Sequence, residues 1–286
     1  MLSVGIISGL IAMLCWGIGD FLLAVTVRKI GQLKAMFWGN IIGVVPILLI
    51  VIYFFNQLFI TINEFLILLG GGAIMLVATL SFYKAYEIGE VSVVTPIATS
   101  ASLVTVLLAV LLLGEQLTFL NIISIIIISI GIVLVSTDFR KLKHMHTVKG
   151  VKEAVITMIL WGVHIFIIKI LSGTMNLVNI SVFSFLVINS YLMLYPLVKK
   201  VPIKLKELKK DRIYLIFIAN SFLFLIAWVA FNYGIKHDLV SLVAPVSSLS
   251  PAITVILALI FYKEKLVLNQ KLGILTVLIG LFLISL

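Results

Sequence analysis

The segment Val91–Glu115, VSVVTPIATSASLVTVLLAVLLLGE, returns 149 residues later as Val240–Glu264, VSLVAPVSSLSPAITVILALIFYKE. A proline, a threonine and the final glutamate hold the same places in both segments. Matches among Leu, Ile and Val are expected by chance in an apolar chain, but matches of Pro and Glu are much less so. Each segment contains an apolar run of roughly the 20 residues that cross a bilayer as a helix. The chain therefore contains an internal repeat of membrane-spanning type.

The repeat extends to both sides of this segment. A second offset, of 145 residues, aligns the part that precedes it. The further matched pairs are Phe82 with Phe231, Gly131 with Gly280, Trp16-Gly17 with Trp161-Gly162, and Phe21 with Phe166.

The composition of the 286-residue chain fits the same class. Apolar residues make up 63% and charged residues 11%, with a mean hydropathy of +1.30. Soluble domains are about 45–50% apolar and about 25% charged, so a soluble enzyme, a disordered chain and a fibre are excluded. The apolar runs are continuous, whereas strands of a membrane β-barrel alternate over roughly ten residues. An all-α integral membrane protein remains.

The apolar runs predict ten transmembrane helices in two five-helix repeats, residues 1–138 and 151–286, joined by a basic linker at 139–150. Because five is odd, the second repeat enters the bilayer from the opposite face. Such inverted-topology repeats let a central site open alternately to each side; a duplication in a static protein is the alternative. The predicted spans are about 3–27, 34–56, 64–84, 91–113, 119–137, 151–171, 175–198, 213–235, 240–262 and 268–286.

The basic residues indicate an orientation. Of the 21 Lys and Arg residues, 19 lie in or beside the connections 1–2, 3–4, 5–6, 7–8 and 9–10, named by the spans they join. We call these the odd connections and the others the even connections. Basic loops lie in the cytoplasm, which places both termini outside. The net charge of +10 is then a topology signal and not a sign of a nucleic-acid partner.

Motifs in both halves carry a family resemblance. The first half contains Tyr86–Pro96, YEIGEVSVVTP, and Leu113–Leu117, LGEQL; the second contains Ser241–Pro245, SLVAP, and Lys263–Leu266, KEKL. In this order they resemble the EamA-like carriers of the drug/metabolite transporter superfamily. The resemblance implies a ten-helix secondary transporter, often an exporter of metabolites or amino acids. It also implies termini inside, against the charge pattern, so the absolute orientation stays open.

Asp20 is the leading candidate for a proton- or substrate-binding residue. An acid inside a span is expensive and marks a functional site by default. Asp20 lies one turn beyond Trp16 on the same helix face, where it can bind a proton or a substrate ammonium group. The alternative is an interfacial acid paired with Arg28 or Lys29. In the second half its place is taken by Ile165.

The second group of candidates for substrate contacts supplies aromatic and amide groups. Trp161 and His164 share a face of span 6, and Trp228 and Asn232 share a face of span 8. Tyr83 in span 3 aligns with Asn232. For His164 the alternative is a neutral ring bonded to a neighbouring helix. These residues predict a cavity between spans 1, 3, 4 and 6, 8, 9.

Two matched pairs have predicted structural roles. Pro96 and Pro245 each remove a backbone hydrogen bond, and their equivalent places predict two equivalent hinges. Glu115 and Glu264 precede spans 5 and 10, where a carboxylate stabilises a helix N-terminus.

The sequence predicts no enzyme, metal site or cofactor, because it lacks zinc, phosphate-loop and nucleophile motifs. We expect a multi-pass protein of the cell membrane, the plasma membrane of a prokaryote, as a monomer or homodimer. Its partners are lipid and a small-molecule substrate, with or without coupled protons. A uniporter or channel on the same scaffold, and a non-transporting receptor, are the alternative functions.

Overall fold

The structure, a computed structural model, describes residues 3–88, 97–136, 150–200, 208, 212–262 and 267–284, and all regular secondary structure in these residues is helical. Apart from one 3-10 turn, Phe55–Gln57, the elements are α-helices. They are α1 Val4–Ile30, α2 Gln32–Tyr53, α3 Ile62–Ile88, α4 Ala101–Leu113, α5 Phe119–Ser136, α6 Val151–Thr174, α7 Leu177–Val198, α8 Ile213–His237, α9 Val240–Ser247, α10 Ser250–Tyr262 and α11 Leu268–Ile284.

Six of these helices are long and apolar enough to cross a membrane: α1, α2, α3, α6, α7 and α8. Shorter apolar helical stretches cover Ile97–Leu113, Phe119–Leu134, Val240–Thr254 and Leu268–Gly280. Large apolar side chains such as Leu49, Leu111 and Leu278 are exposed on the outer surface, as expected where lipid replaces water. The protein is therefore a multi-pass membrane protein.

The helix bounds follow the sequence repeat. Moving α4 forward by 149 residues gives Ser250–Tyr262, the bounds of α10. Moving α2 forward by 145 residues gives Leu177–Val198, the bounds of α7. The two halves therefore have the same succession of helices wherever both are described.

Span 240–262 is not the continuous helix that the sequence predicted. It is broken at Ser248 and Leu249 into α9 and α10, and the Leu249 amide bonds three residues back, to Val246 O at 3.2 Å. Pro251 is the second residue of α10, a place that suits its fixed φ and missing N–H. Pro245 lies inside α9, three residues before the break, and the hinge at Pro245 stays a prediction. Pro96, the other predicted hinge, lies outside the described residues.

The first helix of each half packs against helices of the other half. Helix α1 packs against α8, α9 and α10, while α6 packs against α3 and α4. A Cβ atom on Gly17 would lie 2.6 Å from Ser250 O, and one on Gly162 would lie 2.7 Å from Ala101 O. Only glycine allows this approach of helix backbones, which explains the matched Trp-Gly motifs.

A hydrogen bond fixes each of these two crossings. Thr254 Oγ1 donates to Gly17 O at 2.9 Å, and Thr105 Oγ1 donates to Gly162 O at 3.0 Å. The two threonines occupy matched places in the repeat. The halves are thus joined by a pair of equivalent contacts.

A third crossing joins α5 to α11. Gly131 lies against Val277, and its counterpart Gly280 lies against Ile128. Because Ile128 and Val277 are themselves 149 residues apart, the two contacts are equivalent. The described residues thus form two interlocked halves with an approximate two-fold relation.

Candidate functional site

A chain of aromatic contacts crosses the interior between α1, α8 and α6. The ring centroids of Trp16 and Phe231 are 5.4 Å apart, and those of Phe231 and Trp228 are 6.5 Å apart. Trp228 then stacks on the imidazole of His164 with 6.3 Å between centroids. Aromatic pairs at these distances attract each other, so they order this part of the interior.

A second chain of contacts leads from α6 to α3. Trp161 lies one turn before His164, and its ring is 4.9 Å from that of Phe82. The rings of Phe82 and its neighbour Tyr83 are 6.5 Å apart. Asp20 follows Trp16 by one turn of α1. We call this set the interior ring: Trp16, Asp20, Phe82, Tyr83, Trp161, His164, Trp228 and Phe231.

Asp20 is the acid of the interior ring. It is half-buried, and within the described part of the chain it has no hydrogen bond and no ion pair. The alternative of a pair with Arg28 or Lys29 finds no support there, although the Arg28 side chain lies outside the description. Asp20 is therefore a carboxyl group between the halves for which the described residues supply no charge partner.

His164 offers an acceptor to the ring interior. Its side chain is 3% exposed, and its Nδ1 lies 3.0 Å from Gly71 O. A carbonyl only accepts, so Nδ1 carries the hydrogen and Nε2 of the neutral ring is an acceptor. Nε2 is buried without a partner, and so is the donor Nε1 of Trp161. Buried polar atoms are normally hydrogen-bonded, so within the described part of the chain these two atoms lack the partner that such atoms usually have.

Two predicted residues use their donors elsewhere. Trp228 Nε1 donates to Ser184 Oγ at 3.1 Å, and Asn232 Nδ2 donates to Ser181 Oγ at 3.2 Å. Both serines belong to α7. Trp228 contributes its ring to the site, whereas Asn232 joins α8 to α7, and only its buried Oδ1 stays unpartnered.

The sequence reasoning missed two members of the ring and one neighbouring cation. Phe82 and Phe231 were noticed as a matched pair but not as site residues, and that match was the available signal. Lys169 lies near the end of its span, where a lysine is expected to extend to the membrane interface. The structure makes it part of a charged cluster at one end of the molecule.

Lys169 and Lys236 each bind backbone carbonyls at the C-terminus of the helix that carries the other lysine. Lys169 Nζ on α6 donates to Ile235 O at 2.6 Å and Asp238 O at 2.8 Å, at the C-terminus of α8. Lys236 Nζ on α8 donates to Ser172 O at 2.9 Å and Met175 O at 2.8 Å, at the C-terminus of α6. Cations in these places satisfy free carbonyls and oppose the helix dipole.

Glu115 joins the first half to this cluster. Its carboxylate accepts hydrogen bonds from Val240 N at 3.1 Å, Ser241 N at 3.1 Å and Ser241 Oγ at 2.6 Å, and it lies 3.8 Å from Lys169 Nζ. The side chain of Glu115 is 6% exposed. We call Glu115, Lys169, Val240 and Ser241 the Glu115 cluster.

This geometry corrects a prediction. Glu115 stabilises a helix start, but the helix is α9 of the other half and not span 5, since α5 begins only at Phe119. The start of α5 has its own cap, since Thr118 Oγ1 accepts from Asn121 N at 3.1 Å, whereas the first amides of α9 have no partner within their own helix. Glu264, the matched residue, lies outside the described residues.

An apolar groove of about 640 Å³ lies between α1, α7 and α8. Exposed Ile7, Ile11 and Ile226 line it, with Tyr233 and Ser8 as its polar members. Such a lining suits acyl chains of lipid and does not overlap the interior ring.

A helical membrane protein whose interlocked halves enclose a ring of aromatic and polar groups has the architecture of a membrane transporter. The chain belongs to the EamA-like transporter family, which matches residues 3–137 and 148–286. The resemblance seen in the sequence is thereby confirmed, and the protein is a transporter of the drug/metabolite type. The family is one of transporters and not of enzymes.

Two further similarities fit this assignment. An uncharacterized protein of Methanocaldococcus jannaschii is 28% identical over 135 residues, which are 47% of this chain and 98% of that protein. A solved crystal structure of a protein with 14% sequence identity superposes with a TM-score of 0.79, covering 100% of this chain and 98% of that chain. At this identity the structural match supports the fold alone.

Proposed function

We propose that the protein is a secondary active transporter that moves a small polar metabolite or amino acid outward, by alternating access to the interior ring. The observation that supports the proposal is that both halves of the chain contribute side chains to the interior ring. Its side chains come from α1 and α3 in the first half and from α6 and α8 in the second. A rocking motion of the halves would therefore change access to the ring without dismantling either half.

The proposed topology is ten membrane crossings in two inverted repeats, with α9 and α10 together forming one crossing. The matched Gly17 and Gly162 crossings support it, because equivalent contacts in opposed halves allow two conformations of similar energy. The break between α9 and α10 supports it as well. Irregular backbone at membrane depth is tolerated where it is buried in protein or lines a cavity.

The Glu115 cluster is proposed as the gate at one face. Glu115, Lys169 and Ser241 lie at helix ends beside the even connections, and together they tie the halves. The positive-inside pattern makes this the outer face. The ring would then open first to the cytoplasm, as export of a cytoplasmic metabolite requires. The opposite orientation, which the family resemblance favours, would invert this direction.

The proposal is tested with purified protein in two stages. Thermal unfolding against a metabolite library identifies ligands, because a ligand of the folded state raises its stability. The strongest stabiliser is then followed in proteoliposomes under an imposed pH gradient. We expect saturable accumulation against the substrate gradient, lost in Asp20→Asn and kept in Glu64→Gln, which alters an exposed acid on α3.

Several outcomes would contradict the proposal. Flux that never exceeds equilibrium in wild type would indicate a uniporter or channel instead. Full activity with unchanged pH dependence in Asp20→Asn would remove Asp20 from the site. Labelling of an introduced cysteine in connection 7–8 by an impermeant reagent on intact cells would reverse the orientation and, with it, the direction.

A further inference from the structure

We propose that a Na⁺ ion binds between α2, α7 and α8, in a polar layer that is separate from the interior ring. The members of this layer, which we call the amide layer, are Asn40, Gly43, Asn189 and Ser221. It lies between two apolar clusters of the same three helices, one around Ala35 and Phe217 and the other around Ile47 and Phe185. Na⁺ binding at this place does not depend on the proposed function.

The side chains of the amide layer keep oxygen atoms without a donor. Asn40 and Asn189 each donate an amide N–H to the carbonyl four residues back in their own helix, at 2.6 and 2.8 Å. A carbonyl only accepts, so these bonds identify the nitrogens and leave the two Oδ1 atoms, which accept no hydrogen bond from the described residues. Ser221 Oγ likewise donates its hydrogen four residues back, at 2.7 Å, and can then only accept.

Gly43 leaves room beside these oxygens. A Cβ atom on Gly43 would lie 3.5 Å from Asn189 Oδ1 and 3.9 Å from Ser221 Oγ, and no other atom of a neighbouring helix lies within 4 Å of that position. Pro46, one turn further along α2, has no N–H to give to the carbonyl of Ile42. A backbone oxygen next to Gly43 thus adds to the side-chain oxygens.

These donors suit a monovalent cation. All of them are neutral oxygens, and such oxygens replace the hydration shell of alkali cations in membrane proteins. Divalent cations rely on carboxylates, whereas the described part of the chain contains no group of three acids, histidines or cysteines. The space beside Gly43 is about the size of one methyl group, which favours Na⁺ over the larger K⁺.

An acid on α1 can balance the charge of the ion. Asp20 follows Gly19, and a Cβ atom on Gly19 would lie 2.8 Å from Asn220 Oδ1. Asn220 is 8% exposed, and its Oδ1 is buried without a partner in the described part of the chain. Because Asn220 directly precedes Ser221, α8 carries an oxygen on the side of the acid as well as one in the amide layer. A cation there lowers the cost of a carboxylate in the membrane interior.

The equivalent place in the other half is apolar and filled. Ser221 corresponds to Gly72 at the offset of 149 residues, and Asn189 corresponds to Val44 at the offset of 145. A Cβ atom on Gly72 would lie 2.6 Å from Val187 Cγ1, so no space is left there. The repeated scaffold therefore packs without a polar layer at this place, and the amide layer needs a reason of its own, which Na⁺ binding supplies.

The test measures the thermal unfolding of the purified full-length protein in nanodiscs. Choline chloride is replaced stepwise by NaCl or KCl at constant ionic strength. We expect NaCl to raise the unfolding temperature in a saturable way, because a ligand of the folded state stabilises it. The affinity for K⁺ should be at least tenfold weaker. Direct binding of radioactive Na⁺ should give the same affinity.

The variant Gly43→Ala tests the space itself. Its methyl group would occupy the space at ordinary contact distances, so the unfolding temperature in choline chloride should be unchanged or slightly raised, while the effect of NaCl should be lost. Ser221→Ala should weaken Na⁺ binding at least tenfold. Its matched control is Ser190→Ala, which removes an exposed hydroxyl that donates to Leu186 O at 2.7 Å and should bind Na⁺ like wild type.

Na⁺ binding is refuted if NaCl does not stabilise the wild-type protein, or if KCl stabilises it equally. The assignment to the amide layer is refuted if Gly43→Ala keeps the wild-type Na⁺ affinity, or if Ser190→Ala loses as much affinity as Ser221→Ala. The wild-type measurement decides the ion selectivity even where a variant does not fold. Because binding is measured without transport, absent transport would contradict the proposed function alone, and absent Na⁺ binding would contradict only the Na⁺ site.

Discussion

The substitution Glu115→Gln isolates the charge of the proposed gate. Glutamine keeps the length of the side chain and one carbonyl oxygen, so the shape of the contact with α9 is preserved. It removes the negative charge that faces Lys169 Nζ at 3.8 Å and that accepts from Val240 N, Ser241 N and Ser241 Oγ. Any effect on the closed face then comes from electrostatics and from one lost acceptor.

The expected cost is about 2–3 kcal/mol. Hydrogen bonds to a charged group contribute about 1.5–3 kcal/mol, against about 0.5–1.5 for neutral ones, and the charge at a helix N-terminus adds about 0.3–1 kcal/mol. Removing one partner of a buried ion pair costs about 3–5 kcal/mol when the other is left alone. Lys169 keeps two carbonyl partners at 2.6 and 2.8 Å, so that larger loss does not apply.

Hydrogen exchange of the Val240 and Ser241 amides, followed by mass spectrometry on peptides that cover α9, measures this loss directly. A cost of this size predicts exchange about 30- to 150-fold faster in Glu115→Gln. The matched control is Glu153→Gln, which removes a 4.0 Å pair with Lys84, itself 64% exposed. Exposed pairs contribute about 0–1 kcal/mol, so α9 should be unaffected. Unchanged exchange in Glu115→Gln, or an equal rise in the control, would refute the gate.

Two other substitutions test the packing and the ring. Gly17→Ala places a Cβ 2.5 Å from Ile253 Cβ and should lower the stability by about 1–3 kcal/mol or more. The control Gly70→Ala, whose Cβ would have nothing within 4 Å, should leave the stability unchanged. Equal unfolding temperatures for both variants would contradict the close packing of α1 against α10. Trp161→Phe removes a buried donor without a partner, which is favourable, but it also removes packing against Phe82, which is not. Thermal unfolding should therefore show a loss of about 1–2 kcal/mol or less, and a larger loss would contradict an unpartnered Nε1.

The helices and the repeat could be predicted because they depend on local pattern. The predicted span at 119–137 compares with α5 at Phe119–Ser136, and that at 213–235 with α8 at Ile213–His237. The break at Ser248 escaped prediction because Pro245 and Pro251 both remove a hydrogen bond. Only the packed backbone shows which of them starts a new helix.

The contacts of individual side chains could not be predicted, since they depend on helix rotation and on contacts distant in sequence. Ser241 lies 126 residues from Glu115, and no local pattern connects them. Asn232 shares a helix face with Trp228, yet its amide turns to Ser181 on α7. The sequence shows which acids and aromatic residues lie in the predicted spans, but it does not show which neighbours their side chains contact.

The matched and unmatched residues have different roles. Gly17 and Gly162 fix equivalent crossings, and a scaffold built only from such pairs would give both access states nearly the same energy. Two of the charged residues are unmatched, since Lys169 aligns with Ala24 and Asp20 aligns with Ile165, whereas Glu115 aligns with Glu264. In the proposed mechanism, the duplication supplies two states, and the unmatched residues Lys169 and Asp20 make them differ in energy.

A difference in energy between the two proposed states determines which substrates can be transported. If the Glu115 cluster favours one state by about 2–3 kcal/mol, the other is populated at roughly one part in 30 to 150. A ligand shifts that ratio only by its difference in affinity for the two states, however tightly it binds. A substrate that reaches Asp20 equally well in both states would saturate the ring without opening the gate. In the proposed mechanism, productive substrates are those that contact Asp20 better once the halves have moved. Glu115→Gln should make transport less selective for them, because the gate then opens more easily.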